Sequence, residues 1–97
     1  MSSIDIHHIQ KDWTNRGYSF GIWSDNPGQV WENFIHATDE LFLVVDGHVE
    51  LELPGQKWCP APGEEVQIPA NTKHSVRNLG PTGSRWLYGY RHIEQHV

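Results

Sequence analysis

Phe34-Ile35-His36-Ala37-Thr38-Asp39-Glu40-Leu41-Phe42-Leu43-Val44-Val45-Asp46-Gly47 is the stretch that decides the fold. It sets an imidazole, His36, four residues before a carboxylate, Glu40. Five consecutive apolar residues follow, then a turn pair. Leu41 to Val45 does not alternate, so a strand there has both faces covered. One face belongs to the interior of a β domain. The other needs a second sheet, the N-terminal segment or a partner chain. Asp46-Gly47 favours the positive φ angles of a type I′ turn. Beyond it Val49, Leu51 and Leu53 share one face and His48, Glu50 and Glu52 the other. The expectation is a hairpin of Leu41–Val45 with His48–Leu53.

The rest of the chain has the same texture. Short apolar or alternating runs are separated by Gly, Pro, Asn and Asp, and no capped segment shows a sustained 3.6-residue apolar period. Strands are predicted near Ile4–Ile9, Tyr18–Trp23, Gln29–Ile35, Leu41–Val45, His48–Leu53, Glu65–Ile68, His74–Asn78 and Arg85–Arg91. Ser24-Asp25-Asn26-Pro27-Gly28, Pro54-Gly55, Pro60-Ala61-Pro62-Gly63 and Gly80-Pro81-Thr82-Gly83-Ser84 read as turns and loops. The fold class is all-β, a single antiparallel jelly-roll barrel, with no helix longer than about three turns.

The chain has 97 residues, enough for one domain over 1–97 that buries about two-thirds of its unfolded surface. Its formal net charge is -5 and its seven Lys and Arg are scattered, which argues against nucleic acid as a partner. No apolar stretch approaches the roughly 20 residues of a membrane helix, and the N-terminus lacks the pattern of a signal peptide. One cysteine, Cys59, allows no intramolecular disulfide, which is compatible with a reducing compartment. A cytoplasmic location is expected. The five Trp, three Tyr and three Phe fill a small barrel, line a pocket, or do both.

A second stretch answers the first. Gly63-Glu64-Glu65-Val66-Gln67-Ile68-Pro69-Ala70-Asn71-Thr72-Lys73-His74-Ser75-Val76-Arg77-Asn78 centres on His74, which opens a strand after a turn. His36, Glu40 and His74 could together hold a divalent metal with open coordination positions. Singly they are weak signals, because a lone His in a β domain is more often hydrogen-bonded or exposed than a ligand. Thr38 or Gln67 could add a weak contact. His7, His8, His92 and His96 read as surface residues, and Cys59 as a buried structural thiol. Trp86, Tyr88 and Tyr90 alternate as a pocket wall, a core or a dimer face.

The spacing of both stretches together resembles the cupin family. The first family motif is commonly written G-x5-H-x-H-x3,4-E-x6-G. His36 matches its second histidine, Glu40 its glutamate and Gly47 its final glycine. The second is written G-x5-P-x-G-x2-H-x3-N, and Gly63, Pro69, His74 and Asn78 fit it. Asn71 stands where the family has glycine, and asparagine tolerates left-handed backbone angles. The two departures in the first motif are Phe34 in place of the first histidine and the missing opening glycine.

The resemblance implies a conserved-barrel cupin fold, a homodimer and a metal site reduced to His36, Glu40 and His74. Zn, Ni, Fe or Mn suits that donor set. Phe34 cannot ligate and should pack beside the site. The implied partner is a small organic molecule. Dioxygenase, isomerase, decarboxylase and lyase chemistry are all open, and the sequence does not choose among them or decide whether the chain is an enzyme. The alternatives are a non-catalytic, metal-free barrel that binds a small ligand, or two histidines and a glutamate that satisfy one another in the core.

Overall fold

The structure, a computed structural model, describes residues 4–92. Eight strands follow one helix: α1 Ile6–Asn15, β1 Gly21–Asp25, β2 Val30–Phe34, β3 Glu40–Asp46, β4 Val49–Leu53, β5 Gln56–Trp58, β6 Glu65–Ile68, β7 His74–Asn78 and β8 Ser84–Tyr90. They form two antiparallel four-stranded sheets, in the orders β1-β8-β3-β6 and β2-β7-β4-β5. The chain changes sheet at every connection between consecutive strands except that from β4 to β5. This is the jelly-roll arrangement expected of the sequence.

The two covered faces of β3 have separate partners. Phe42 and Val44 enter the cluster between the sheets, with Val49, Leu51, Val66, Ile68, Val76 and Trp86. Leu41 and Leu43 point the other way, into a cluster with Trp13, Tyr18 and Leu87, edged by Ile6 and Ile9. The outer face is therefore closed by the N-terminal segment of the same chain. The case for a partner chain drawn from that face falls away.

Three strand-level expectations are corrected. Ile4–Ile9 is not a strand, because α1 starts at Ile6. Asp5 caps it by accepting from the His8 N–H at 3.1 Å, and Ile6, Ile9 and Trp13 fall on one helical face. Glu65 of β6 fastens α1 to the sheet. It accepts from Trp13 Nε1 at 2.9 Å and from both Arg16 Nη atoms at 2.8 and 3.0 Å. Gly89 lies under this joint, where an added Cβ would overlap the Ser19 carbonyl and crowd Trp13.

The second correction concerns the Asp46-Gly47 turn. It does not close a hairpin, because β3 pairs with β6 and β8 while β4 pairs with β5 and β7. The turn carries the chain from one sheet to the other. Gly47 has φ 96° and Asp46 is not in the positive region, so the geometry is not type I′. A Cβ at Gly47 would overlap Ser84, and Asp46 accepts from Arg85 Nε at 2.9 Å. The third correction is β5, which the sequence reading passes over.

Candidate metal centre

A β-bulge builds one side of the site. Trp31 pairs with Val76 and Phe34 with His74, so Glu32 and Asn33 together stand opposite Ser75 alone. Asn33 takes φ 60°, and its N–H donates to Ser75 Oγ at 3.0 Å. The extra residue shifts the parity of β2. Trp31 and Phe34, three apart, both line the interior cavity. His36 lies two residues further on, past the end of the strand.

The second stretch is tied to the first by backbone. The Asn71 N–H donates to the His36 carbonyl at 2.7 Å, and the Ala70 N–H to Asp39 Oδ1 at 2.8 Å. Asn71 has φ 60°, the left-handed conformation that asparagine tolerates in place of glycine. Ala37-Thr38-Asp39 is thus a short loop into β3, and Glu40 opens that strand opposite Ile68 and Tyr90.

These ties bring His36, Glu40 and His74 together, with one donor atom of each within 4.8 Å of the others. His74 Nε2 lies 3.3 Å from Glu40 Oε1, and His36 Nε2 lies 3.7 Å from the same oxygen. Two donors at about 2.1 Å from one tetrahedral ion would stand roughly 3.4 Å apart. Glu40 and His74 are buried, and His36 is half-buried.

The protons decide what this cluster can do. His74 Nδ1 lies 3.0 Å from the Thr72 carbonyl oxygen, which can only accept, so Nδ1 carries the proton. In the neutral ring Nε2 then presents a lone pair to a carboxylate oxygen. Glu40 Oε1 is correspondingly buried and has no hydrogen-bond partner among the described residues. Buried polar atoms seldom stay unpaired, and this one faces two imidazole nitrogens. A cation there, either a metal ion or a proton on His74, would satisfy this oxygen. Burial presses the His74 pKa down, while Glu40 and the Thr72 carbonyl press it up, and the net direction is up.

The cluster lines a cavity of about 260 Å³ between the sheets. Aromatic rings make up most of the wall, from Trp23, Trp31, Phe34, Phe42, Trp86, Tyr88 and Tyr90. The alternating Trp86, Tyr88 and Tyr90 of β8 are thus a pocket wall. Phe34 packs beside the imidazoles, its ring centre 6.2 Å from that of His36 and 6.3 Å from that of His74. Tyr90 Oη is 3.4 Å from His36 Nε2. Burial first, then Glu40 and Tyr88, push its phenol pKa up to about 12, so it remains a donor at neutral pH.

Several residues named from the sequence lie elsewhere. Neither Thr38 nor Gln67 lines the cavity. His7, His8 and His92 are exposed, and His96 lies outside the described residues. Cys59 is exposed rather than buried, and partial burial followed by Glu50 raises its thiol pKa. Asn78 is a structural pin: its amide donates to Asn26 O at 2.9 Å and accepts from the Gly80 N–H at 3.0 Å.

Asp25 belongs to the predicted turn cluster Ser24-Asp25-Asn26-Pro27-Gly28. It ends β1, is buried, and accepts the indole N–H of Trp23 at 2.8 Å and of Trp31 at 2.9 Å. The only trace of this in the sequence is the two-residue spacing of Trp23 and Asp25, which puts both on one strand face.

Comparison with known proteins agrees with this architecture. The family model described as Cupin domain matches residues 21–90. Quercetin 2,3-dioxygenase of Bacillus subtilis (strain 168) is 37% identical over 57 residues, which are 58% of this chain and 17% of that protein. Polyketide synthase CurC of Streptomyces cyaneus is 26% identical over 69 residues, 70% of this chain and 45% of that protein. The chain therefore spans less than half the length of these curated relatives. Among solved structures, the cupin domain of an XRE family transcriptional regulator from Enterobacter cloacae superposes with a TM-score of 0.72 at 18% identity. That match covers 84% of this chain and 90% of that one. It bears on the fold alone.

Proposed function

The chain belongs to the cupin domain family, and on that premise we propose that it holds a divalent transition metal at His36, Glu40 and His74 and takes a small organic molecule beside it. The observation that carries this reading is Glu40 Oε1, buried, without a hydrogen-bond partner among the described residues and faced by two imidazole nitrogens. Two nitrogens and one carboxylate oxygen suit Zn, Ni, Fe or Mn and leave coordination positions free. When bound, such an ion supplies Lewis acidity and sites for further ligands.

The chain's own groups have distinct tasks. The Thr72 carbonyl fixes the His74 tautomer, so that Nε2 is the ligating atom. Phe34 stands where the family motif has its first histidine, and its ring packs beside both imidazoles. Tyr90, protonated at neutral pH, donates a hydrogen bond to an oxygen of the bound molecule. The similarity to a stretch of quercetin 2,3-dioxygenase favours catalysis without choosing a reaction.

The test is calorimetric titration of metal-free protein with Zn, Ni, Mn and anaerobic Fe(II). At least one should bind at about one equivalent, and His74→Ala should remove that binding. Phe34 in the ligand position favours the second reading, a metal-free barrel for a small ligand. If no ion binds, that reading replaces the first.

A further inference from the structure

A row of aromatic rings leads away from His36 and His74 along the cavity wall. Phe34, beside the imidazoles, is followed by Trp31 and then Trp23, and Phe34 and Trp23 are partly exposed. The Trp23 and Trp31 rings meet edge to face at 5.6 Å, and Trp31 lies 6.1 Å from Phe34. An indole lining a pocket ordinarily offers its N–H to whatever enters. Here both N–H groups are withdrawn, one onto each oxygen of the buried Asp25. The wall therefore presents ring surface and no donor. A volume of about 260 Å³ lies between an engineered cavity of about 150 Å³ that binds benzene and the roughly 300–1,000 Å³ of drug-sized sites.

The geometry points to a planar aromatic ligand of one or two rings, its ring against Trp23, Trp31 and Phe34 and an oxygen donor toward His36, Glu40 and His74, with Asp25 as the residue that positions the wall. This deepens the proposed function and rests on its metal for the oxygen end. Asp25 does not touch the ligand. It acts by locking two indoles at once, and a single carboxyl spanning two rings cannot be replaced by a group with one acceptor.

The experiment compares benzoate with cyclohexanecarboxylate, which share a carboxylate and differ in the ring. Binding is followed by tryptophan fluorescence in metal-loaded and metal-free protein, with metal content measured on the same samples. Benzoate is expected to bind about tenfold more tightly. Trp23→Leu, at a half-exposed position that threatens folding little, should reduce that preference to about twofold, and Trp23→Phe should restore most of it. Asp25→Asn keeps one acceptor and should weaken benzoate about threefold to tenfold. It should also alter the near-ultraviolet circular dichroism of the paired indoles while leaving the far-ultraviolet spectrum and the metal content unchanged.

Equal binding of the two acids overturns the inference, as does a preference that survives both Trp23→Leu and Asp25→Asn. Metal retained without ring preference counts against the ring wall alone. Ring preference in protein that takes up no metal supports the wall and counts against the metal reading alone.

Discussion

Glu40 and His74 meet at 3.3 Å with a lone pair on each side, because the remaining imidazole proton is committed to Thr72. A metal ion would resolve that contact, and so would a donor on the carboxylate side. Glu40→Gln should therefore abolish metal binding while the metal-free variant melts no lower than the metal-free parent. Its amide N–H can reach His74 Nε2 and gain about 1 kcal/mol. Thermal melts with and without chelator measure both parts. Phe34→His should strengthen metal binding by about tenfold or more, since outer-shell changes alone shift affinity by about that much. Competition against a metal-sensitive dye reads it. The three donors were legible in the sequence because motif spacing fixes which residues meet at a strand start, and Asn71 was legible because few residues accept φ 60°. Asp25 was not. Its two bonds depend on the chain turning back between β1 and β2 so that Trp31 arrives beside Trp23, and no local pattern announces that.

The helix α1 exposes the limit of reading elements one at a time. Ile4, Ile6 and the intervening polar residues alternate as a strand would, yet Ile6, Ile9 and Trp13 also fit one helical face. The Asp5 cap decided between the two readings. The Asp46-Gly47 signal was likewise right about a reversal and silent about pairing, since turn residues specify a bend but not which sheet receives the next strand. Trp13→Ala should cost about 3–5 kcal/mol of stability, as for other fully buried large aromatics, measured by urea unfolding. The joint to β6 has a pH signature. Arg16 first, with Trp13 adding to it, holds the Glu65 carboxyl below its ordinary value of 4.5 despite burial. A depressed folded-state pKa contributes stability above the unfolded value and loses it as pH falls through the folded value. The deficit of Glu65→Gln relative to the parent should be full at neutral pH and shrink below about pH 4.5. Unfolding curves across that range would show it, and a deficit independent of pH would refute the ionic joint.

At the scale of the whole molecule, two apolar clusters flank β3, one between the sheets and one under α1. Neither contains His36, Glu40 or His74, so the fold should persist without metal. Bound metal should then add stability by mass action, about 2.7 kcal/mol at a hundredfold excess over Kd. The jelly roll itself was legible from turn spacing and the two-faced strand. What covers the outer face was not, because an apolar face looks the same whether its own helix or another chain closes it. The measurement that bears most directly on the site is elemental analysis of native protein, expressed with metals supplied and purified without chelator or nickel. About one equivalent of a single transition metal is expected, falling to background in His74→Ala protein with an unchanged far-ultraviolet spectrum. Folded native protein carrying less than about a tenth of an equivalent of any transition metal would contradict a metal centre at His36, Glu40 and His74.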